Sequence, residues 1–322
     1  MSTHKLILPT QPALDCWYLT GATASGKTAV GVELAEKLNA EIISLDSMAI
    51  YREMDIGTAK PTLEQRAAVV HHMIDILDPV DEFSVSDYLR RVHSIIEDIV
   101  SRGKLPLVVG GTSLYLKAML RGLFEGPPAD WAFREEVEKE VAEVGIEALH
   151  QRLAFVDPLS ADKLHPNDKR RIIRALEVHR ATGTPISHFQ MQFDEGRTPE
   201  RCRVFVLSWP RPELHMRIDE RVDSMFEAGL IEEAQSLLDK YGELGRTAMQ
   251  AVGYQEAFDH LAGIRDLPAT IDAVKARTHQ FARRQETWFR SLSECRLMPR
   301  TRDTAAAEVA QLILEQGRSS DL

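Results

Sequence analysis

One stretch of eight residues constrains this chain more than any other: Gly21, Ala22, Thr23, Ala24, Ser25, Gly26, Lys27 and Thr28. It matches G-x-x-x-x-G-K-[ST], in which backbone N–H groups surround a diphosphate, the lysine adds a positive charge and the hydroxyl reaches a bound Mg²⁺. An apolar run, residues 16–19, comes before it, and Val30, Leu34 and Leu38 follow it with helical spacing. We therefore predict a strand, a phosphate-binding loop and a helix. The alternative is a plain glycine-rich turn.

The length and composition favour a soluble protein. At 322 residues, with 44% hydrophobic and 27% charged residues, the chain can form one large domain and a smaller one. Its three cysteines, Cys16, Cys202 and Cys295, are far apart and form no C-x-x-C pair, which favours a reducing compartment. No signal-like segment opens the chain, and no window approaches the roughly eighteen consecutive apolar residues of a membrane span. We predict a cytoplasmic protein with no membrane partner.

The charge distribution is compatible with a polyanionic partner. The net charge is −10, which is unusual for a protein that binds nucleic acid. Residues 163–180, however, contain six Lys or Arg against two acids, and residues 275–302 contain eight against two. These segments either grip a polyanion locally or form solvated helix faces.

The pattern after the loop predicts an α/β protein with a P-loop NTPase-like parallel sheet. We expect strands at 41–45, 72–77, 105–109 and 202–208, and a helix from Ser84 to about Arg102 with Ser84 and Asp87 as a capping box. The second strand ends at Asp46. Because the carboxyl ends of parallel strands face the ligand crevice, we expect Asp46 beside the phosphate loop. After the fourth strand, glycines stand where an ATPase commonly has a magnesium-binding acid.

The middle of the chain interrupts this alternation. Residues 124–201 contain several helical stretches and irregular Gly/Pro-rich runs, so we predict a helical insertion there. The core would then comprise residues 1–123 and 202–322, and its last hundred residues would be a mostly helical C-terminal part that ends in an amphipathic helix at 304–315.

Motif blocks along nearly the whole chain resemble the bacterial-type tRNA dimethylallyltransferases, also called isopentenyltransferases. The blocks lie at residues 21–28, 46–51, 54–61, 71–75, 78–79, 83–85, 110–115, 165–168, 171–177, 215–221, 251–254 and 278–288. Ala22 departs from the proline expected in the family, and Met48 and Ala49 differ from its usual pair. Neither difference removes a functional group.

The resemblance implies transfer of a dimethylallyl group from dimethylallyl diphosphate to N6 of the adenosine 3′ to the anticodon, with Mg²⁺ as cofactor. It implies catalytic roles for Asp46 as base, Thr112 against the adenosine and Arg217 at the diphosphate, with Thr28 at the metal. A helix cap or a magnesium partner is the alternative for Asp46, and a surface position is the alternative for Arg217.

The tRNA anticodon stem-loop is the implied partner, held in part by the insertion. The expected RNA-contacting residues are Asp46, Ser47, Met48, Ala49, Thr112, Arg134, Arg170, Arg171, Arg174, Gly253, Tyr254, Arg283 and Arg284. We expect a monomer. The competing functions are a small-molecule or nucleoside kinase, a transferase that acts on free AMP, and a non-catalytic RNA-binding module.

Overall fold

The computed structural model describes residues 12–124, 126–190, 193 and 195–319. Within them the chain forms two compact units. The inserted unit is Arg121–Glu195, and the sheet unit is Pro12–Leu120 together with Gly196–Leu322. No helix among the described residues is long and apolar enough to cross a membrane.

The sheet unit is built on six strands: β1 Trp17–Gly21, β2 Ala40–Leu45, β3 His71–His72, β4 Leu105–Gly110, β5 Val204–Ser208 and β6 Cys295–Pro299. They pair in the order β3-β2-β4-β1-β5-β6, and every pairing is parallel. The predicted α/β class with a parallel sheet is therefore confirmed. In the register, Leu45 of β2 lies opposite Gly110 of β4, and Gly21 of β1 lies opposite Leu207 of β5.

The helices of the sheet unit are α1 Lys27–Leu38, α2 Leu63–Ala68, α3 Val85–Ser101, α4 Ser113–Arg121, α10 Arg211–Glu227, α11 Leu230–Tyr241, α12 Tyr254–Leu261, α13 Leu267–Ser291 and α14 Ala306–Arg318. Those of the inserted unit are α5 Trp131–Val144, α6 Ile146–Val156, α7 Pro158–Lys163, α8 Lys169–Thr182 and α9 Ile186–Gln190. Single 3₁₀ turns lie at Pro199–Arg201 and Ala248–Gln250.

The central strands are covered on both faces, as their sequences require. All five residues of β1 and all six of β2 are buried, which is typical of parallel strands with helices on both sides. Trp17, Leu34 and Ile313 belong to one core cluster that joins β1, α1 and α14. Gly317 of α14 lies directly against the Trp17 ring, where a Cβ would stand only 2.1 Å away from it.

Two predictions about strands differ from the structure. The strand expected at 72–77 ends after His72, because Met73 and Asp75 adopt left-handed φ values of 63° and 54° that a strand cannot continue through. Beyond that break, Leu77 makes only an isolated bridge with Tyr51. The edge strand β6 was not predicted at all, because Cys295–Pro299 is short, contains an arginine and a proline, and is only partly buried.

Candidate active site

The phosphate-binding loop joins β1 to α1 as predicted from its motif. Gly21 has φ 148°, Ala24 has φ 60°, and Gly26 caps α1 with φ 88°. These left-handed values at Gly21 and Gly26 favour glycine. The helix therefore begins at the carboxyl end of a central strand, and its free N–H groups and positive dipole end are suited to an anion.

Lys27 folds back onto the loop that precedes it. Its Nζ donates to the carbonyl oxygens of Gly21, at 3.0 Å, and Ala22, at 2.8 Å. Burial, and after it repulsion from Arg221, lower the pKa of Lys27 to about 7, although nearby Asp46 acts in the opposite direction. An anion arriving at this loop would reverse that shift, because it would stabilise the charged ammonium.

Two arginines of α10 contact the same loop. Arg217 donates from Nε to the Ala24 carbonyl at 2.8 Å, and its guanidinium stacks 4.4 Å from the centre of the Trp209 ring. Trp209 donates from Nε1 to the Ser25 carbonyl at 2.9 Å. Arg221 donates from Nη1 to Thr23 Oγ1 at 3.4 Å, and burial lowers the pKa of Arg221. Sequence reasoning missed Arg221, although it lies one helical turn from Arg217 and hence on the same face.

A buried glutamine connects the phosphate loop to the end of β4. Gln285 of α13 is 4% exposed. Its Oε1 accepts from the Thr23 N–H, and its Nε2 donates to the Gly111 carbonyl, both at 2.8 Å. Gln285 was also missed. The available signal was an amide on the face of α13 that carries the buried residues Ala282 and Phe289.

Asp46 and Thr112 lie at adjacent strand ends. Asp46 Oδ1 accepts from the N–H groups of Met48, at 2.8 Å, and Ala49, at 3.2 Å, so one carboxylate oxygen shapes the turn that follows β2. Thr112 Oγ1 accepts from the Ser47 N–H at 3.1 Å. The Thr112 N–H in turn donates to the Leu45 carbonyl at 3.1 Å. The ends of β2 and β4 are thus held together by hydrogen bonds.

Some of the residues expected to contact RNA are buried. Gly253 and Tyr254 are buried, and the Tyr254 hydroxyl donates to Glu233 at 2.5 Å. Glu233 also accepts the backbone N–H groups of residues 55–57. The Tyr254 side chain therefore helps to fix the loop at 55–57, and the RNA contact of the region around Gly253 and Tyr254 stays a prediction. Ala49, 5% exposed, is likewise buried, whereas Ser47 and Met48 remain partly exposed.

Two of the arginines in the inserted unit are held by a buried carboxylate. Glu177, 2% exposed, accepts from Arg134 at 2.8 and 2.9 Å and also from Arg174, which further donates to the Pro127 carbonyl. Both arginines thus neutralise a buried charge, and their contact with RNA stays a prediction. Arg170 and Arg171 of α8 are exposed, as are Arg283 and Arg284 of α13.

The metal site expected at Thr28 has few protein ligands. Among the described residues no three His, Cys, Asp or Glu are grouped so as to hold a metal ion. Thr28 is the second residue of α1, and Asp46 lies at the same carboxyl edge of the sheet. This donor set fits a Mg²⁺ that takes most of its oxygens from phosphate and water.

The sheet, the phosphate loop and the cations around it define an α/β protein of the P-loop type. A family model described as IPP transferase matches residues 49–292. A tRNA dimethylallyltransferase of Rhodopirellula baltica is 50% identical over 308 residues, which cover 93% of this chain and 92% of that relative. The chain belongs to the IPP transferase family.

Two solved structures share this architecture. One, described as the full-length tRNA isopentenylpyrophosphate transferase of Bacillus halodurans, has a TM-score of 0.68 and 39% identity, with 95% of this chain and 97% of that chain covered. The other, a eukaryotic dimethylallyltransferase described as acting on tRNA, has a TM-score of 0.75 and 28% identity, with 95% and 80% covered.

Proposed function

We propose that this protein transfers a dimethylallyl group from dimethylallyl diphosphate to N6 of the adenosine 3′ to the anticodon of a tRNA, and releases diphosphate. One observation carries the proposal beyond the names of the relatives. The carboxylate of Asp46 and the hydroxyl of Thr112 lie at paired strand ends of the sheet that also carries the phosphate loop. One edge of the sheet thus carries a carboxylate, a hydroxyl and the phosphate loop, which supports the roles proposed for them.

The donor half of the reaction rests on the cations around the loop. When the nitrogen attacks, the bond between C1 of the dimethylallyl group and the diphosphate oxygen breaks, and its electron pair stays on the diphosphate. Lys27, Arg217 and Arg221, together with the loop N–H groups, stabilise this developing charge. These groups are already in place around the loop, so little reorganisation is needed when the bond breaks.

The acceptor half rests on Asp46. A neutral exocyclic amine is a weak nucleophile, so the proton that leaves N6 needs an acceptor as the new C–N bond forms. Asp46 accepts it on the oxygen that the turn does not use, because the hydrogen bonds from Met48 and Ala49 both go to Oδ1. Thr112 orients the adenosine, and its contact with the Ser47 N–H holds that hydroxyl in place.

We assign the metal of this reaction as Mg²⁺, with Thr28 as its protein ligand and the diphosphate as its main partner. When bound, the ion adds positive charge to the leaving group. The small number of protein carboxylates near the loop is consistent with Mg²⁺, which keeps several waters and phosphate oxygens.

RNA recognition follows from exposed charge. Arg170 and Arg171 in the inserted unit, and Arg283 and Arg284 on α13, are exposed, so their guanidinium groups can reach phosphates. We assign the insertion, residues 124–201, to holding the anticodon stem-loop. The target adenosine must leave its stack, which costs least in a loop that is already unpaired. The protein then acts as a cytoplasmic monomer on its tRNA.

The decisive test is transfer of label from dimethylallyl diphosphate, with Mg²⁺, to an unmodified anticodon stem-loop. Parallel reactions contain AMP, or ATP with a small acceptor. Label in the RNA supports the proposal. Label only in AMP would move the acceptor to a free nucleotide, and phosphate transfer from ATP alone would indicate a kinase.

Asp46→Asn tests the base. Asparagine keeps an oxygen for the turn at Met48 and Ala49, so the fold and the binding of diphosphate and RNA should persist. Transfer should fall by at least about 100-fold, the usual scale for loss of a general base. Asp78→Asn, at an exposed carboxylate paired with Arg52, is the matched control. Unchanged transfer in Asp46→Asn would remove Asp46 from this role.

A further inference from the structure

One arginine reaches the phosphate loop from the outer edge of the sheet. Arg300 directly follows β6, and its backbone N–H donates to the Ser208 carbonyl at 2.8 Å, which fixes the residue at the carboxyl end of β5. Its side chain lies inside the protein, and the whole residue is only 7% exposed. Nη2 donates to the Thr304 carbonyl at 2.7 Å.

The guanidinium of Arg300 lies against the start of α1. Its Nη1 is 2.8 Å from the position that a Cβ on Gly26 would occupy, and Nη2 of Arg217 is 3.7 Å from the same point. Both arginines also lie over the ring of Trp209, at 5.2 and 4.4 Å from its centre. Arg300 therefore belongs to the group of cations that surrounds the phosphate loop.

The carboxylate of Asp46 acts on Lys27 and Arg221, and its single charge balances only part of the charge of the four cations. Nε of Arg300 is buried and has no hydrogen-bond partner among the residues described. In that same part of the chain, no ion pair is found for Arg217, Arg221 or Arg300. Burial and the neighbouring Arg217 both lower the pKa of Arg300. Buried cations without a counter-ion are costly, so the arrangement is suited to an anion that is itself multiply charged.

We propose that Arg300 binds the diphosphate of the prenyl donor and of the product, as a fourth side-chain cation beside Lys27, Arg217 and Arg221. The inference rests on the proposed function and adds a residue outside the motif-bearing segments. Nε and Nη1 supply the donors, because Nη2 already serves Thr304. A guanidinium suits this position, since it stays charged when partly desolvated and presents several donors to phosphate oxygens.

The experiment measures binding of inorganic diphosphate with Mg²⁺ by calorimetry to the full chain and to Arg300→Gln and Arg300→Lys. Arg302→Gln is the matched control, because Arg302 is two residues away, half-exposed and paired with Glu220. We expect the Kd of diphosphate to rise about 10-fold or more in Arg300→Gln, the scale of one charged hydrogen bond. The Kd of Arg300→Lys should lie between those of the parent and Arg300→Gln, and the Kd of Arg302→Gln should stay within about twofold of that of the parent.

A thermal melt separates binding from folding. If Arg300 only packs on Trp209, its loss lowers the melting temperature but leaves the diphosphate-induced rise in that temperature unchanged. If it binds diphosphate, that rise shrinks. Equal diphosphate affinity in Arg300→Gln and Arg302→Gln would overturn the inference. Should Arg300→Gln not fold, parent-like affinity in Arg300→Lys would overturn the guanidinium contact.

Measuring both diphosphate binding and RNA labelling with the parent and the variants distinguishes failure of this inference from failure of the proposed function. If the parent binds diphosphate through Arg300 but places no label in RNA, the transfer activity fails and the Arg300 contact stands. If the parent labels RNA and Arg300→Gln binds diphosphate as the control does, only the inference fails.

Discussion

Binding of the prenyl donor should draw a proton onto Lys27. In the ligand-free protein the pKa of this ammonium is about 7, because burial and repulsion from Arg221 disfavour its charge. The donor brings a multiply charged anion to the loop carbonyls that Lys27 now contacts. An adjacent anion favours the charged ammonium, so the pKa rises on binding.

The pH dependence follows from this value. With a pKa of about 7, Lys27 is about 90% protonated at pH 6, about half at pH 7 and about 10% at pH 8. Full protonation in the complex then requires uptake of about 0.1, 0.5 and 0.9 proton respectively. The sign of the linkage is positive uptake. The number of protons taken up on binding grows as pH rises through the pKa of Lys27 in the free protein, and it falls again only above the pKa of Lys27 in the complex. Donor affinity should therefore fall as pH rises through this range.

Calorimetry in buffers of different ionisation enthalpy measures this uptake directly. Dimethylallyl diphosphate is titrated without RNA at pH 6, 7 and 8 into the parent and into Lys27→Arg, whose guanidinium stays protonated throughout. Protons from the ligand itself contribute equally to both proteins and cancel in the difference. An equal uptake at pH 6 and 8, or the same pH profile in Lys27→Arg, would refute the reasoning.

Three other substitutions test the surrounding structure. Gln285→Leu leaves the Thr23 N–H and the Gly111 carbonyl without partners and should lower kcat/KM for the donor about 10-fold; wild-type kinetics would contradict its positioning role. Glu233→Leu strips the acceptor from three backbone N–H groups and Tyr254 and should lower the free energy of unfolding in urea by about 3 kcal/mol; a loss below about 1 kcal/mol would argue against it. Combined Arg283→Glu and Arg284→Glu should weaken stem-loop binding at low salt, with a shallower salt dependence and unchanged diphosphate affinity; an unchanged salt slope would exclude phosphate contacts there.

Local sequence patterns were sufficient to predict the phosphate loop and the position of Asp46 beside it. The spacing of the residues from Gly21 to Thr28 predicts the phosphate loop, and the apolar residues on either side of it predict the strand and the helix. Asp46 could be placed beside it because the carboxyl ends of parallel strands meet at one edge. Even the capping box of α3 was readable, since Ser84 and Asp87 bond each other's backbone over three residues, as the structure confirms.

Side chains that contact the loop from distant parts of the sequence could not be predicted in this way. Gln285 and Arg221 reach the loop from helices more than 190 residues further along the chain, and no periodicity encodes which loop they meet. The pairing of Arg134 with Glu177 could not be predicted either, because the two residues are 43 positions apart in the sequence. The break of β3 occurs at Met73, a residue of ordinary strand propensity that has left-handed φ here, so propensity alone did not predict it.

The way the phosphate loop is held has a consequence for biosynthesis. Its contacts with Trp209, Arg217 and Gln285 join residues separated by 184, 193 and 262 positions. The loop leaves the ribosome early, whereas Trp209, Arg217 and Gln285 are synthesised much later. The loop therefore lacks these contacts while most of the chain is made. Closing such distant contacts is slow. We therefore expect nascent chains halted before α13 to possess the complete G-x-x-x-x-G-K-T sequence and yet lack its ligand affinity, which makes this site one of the last parts of the protein to mature.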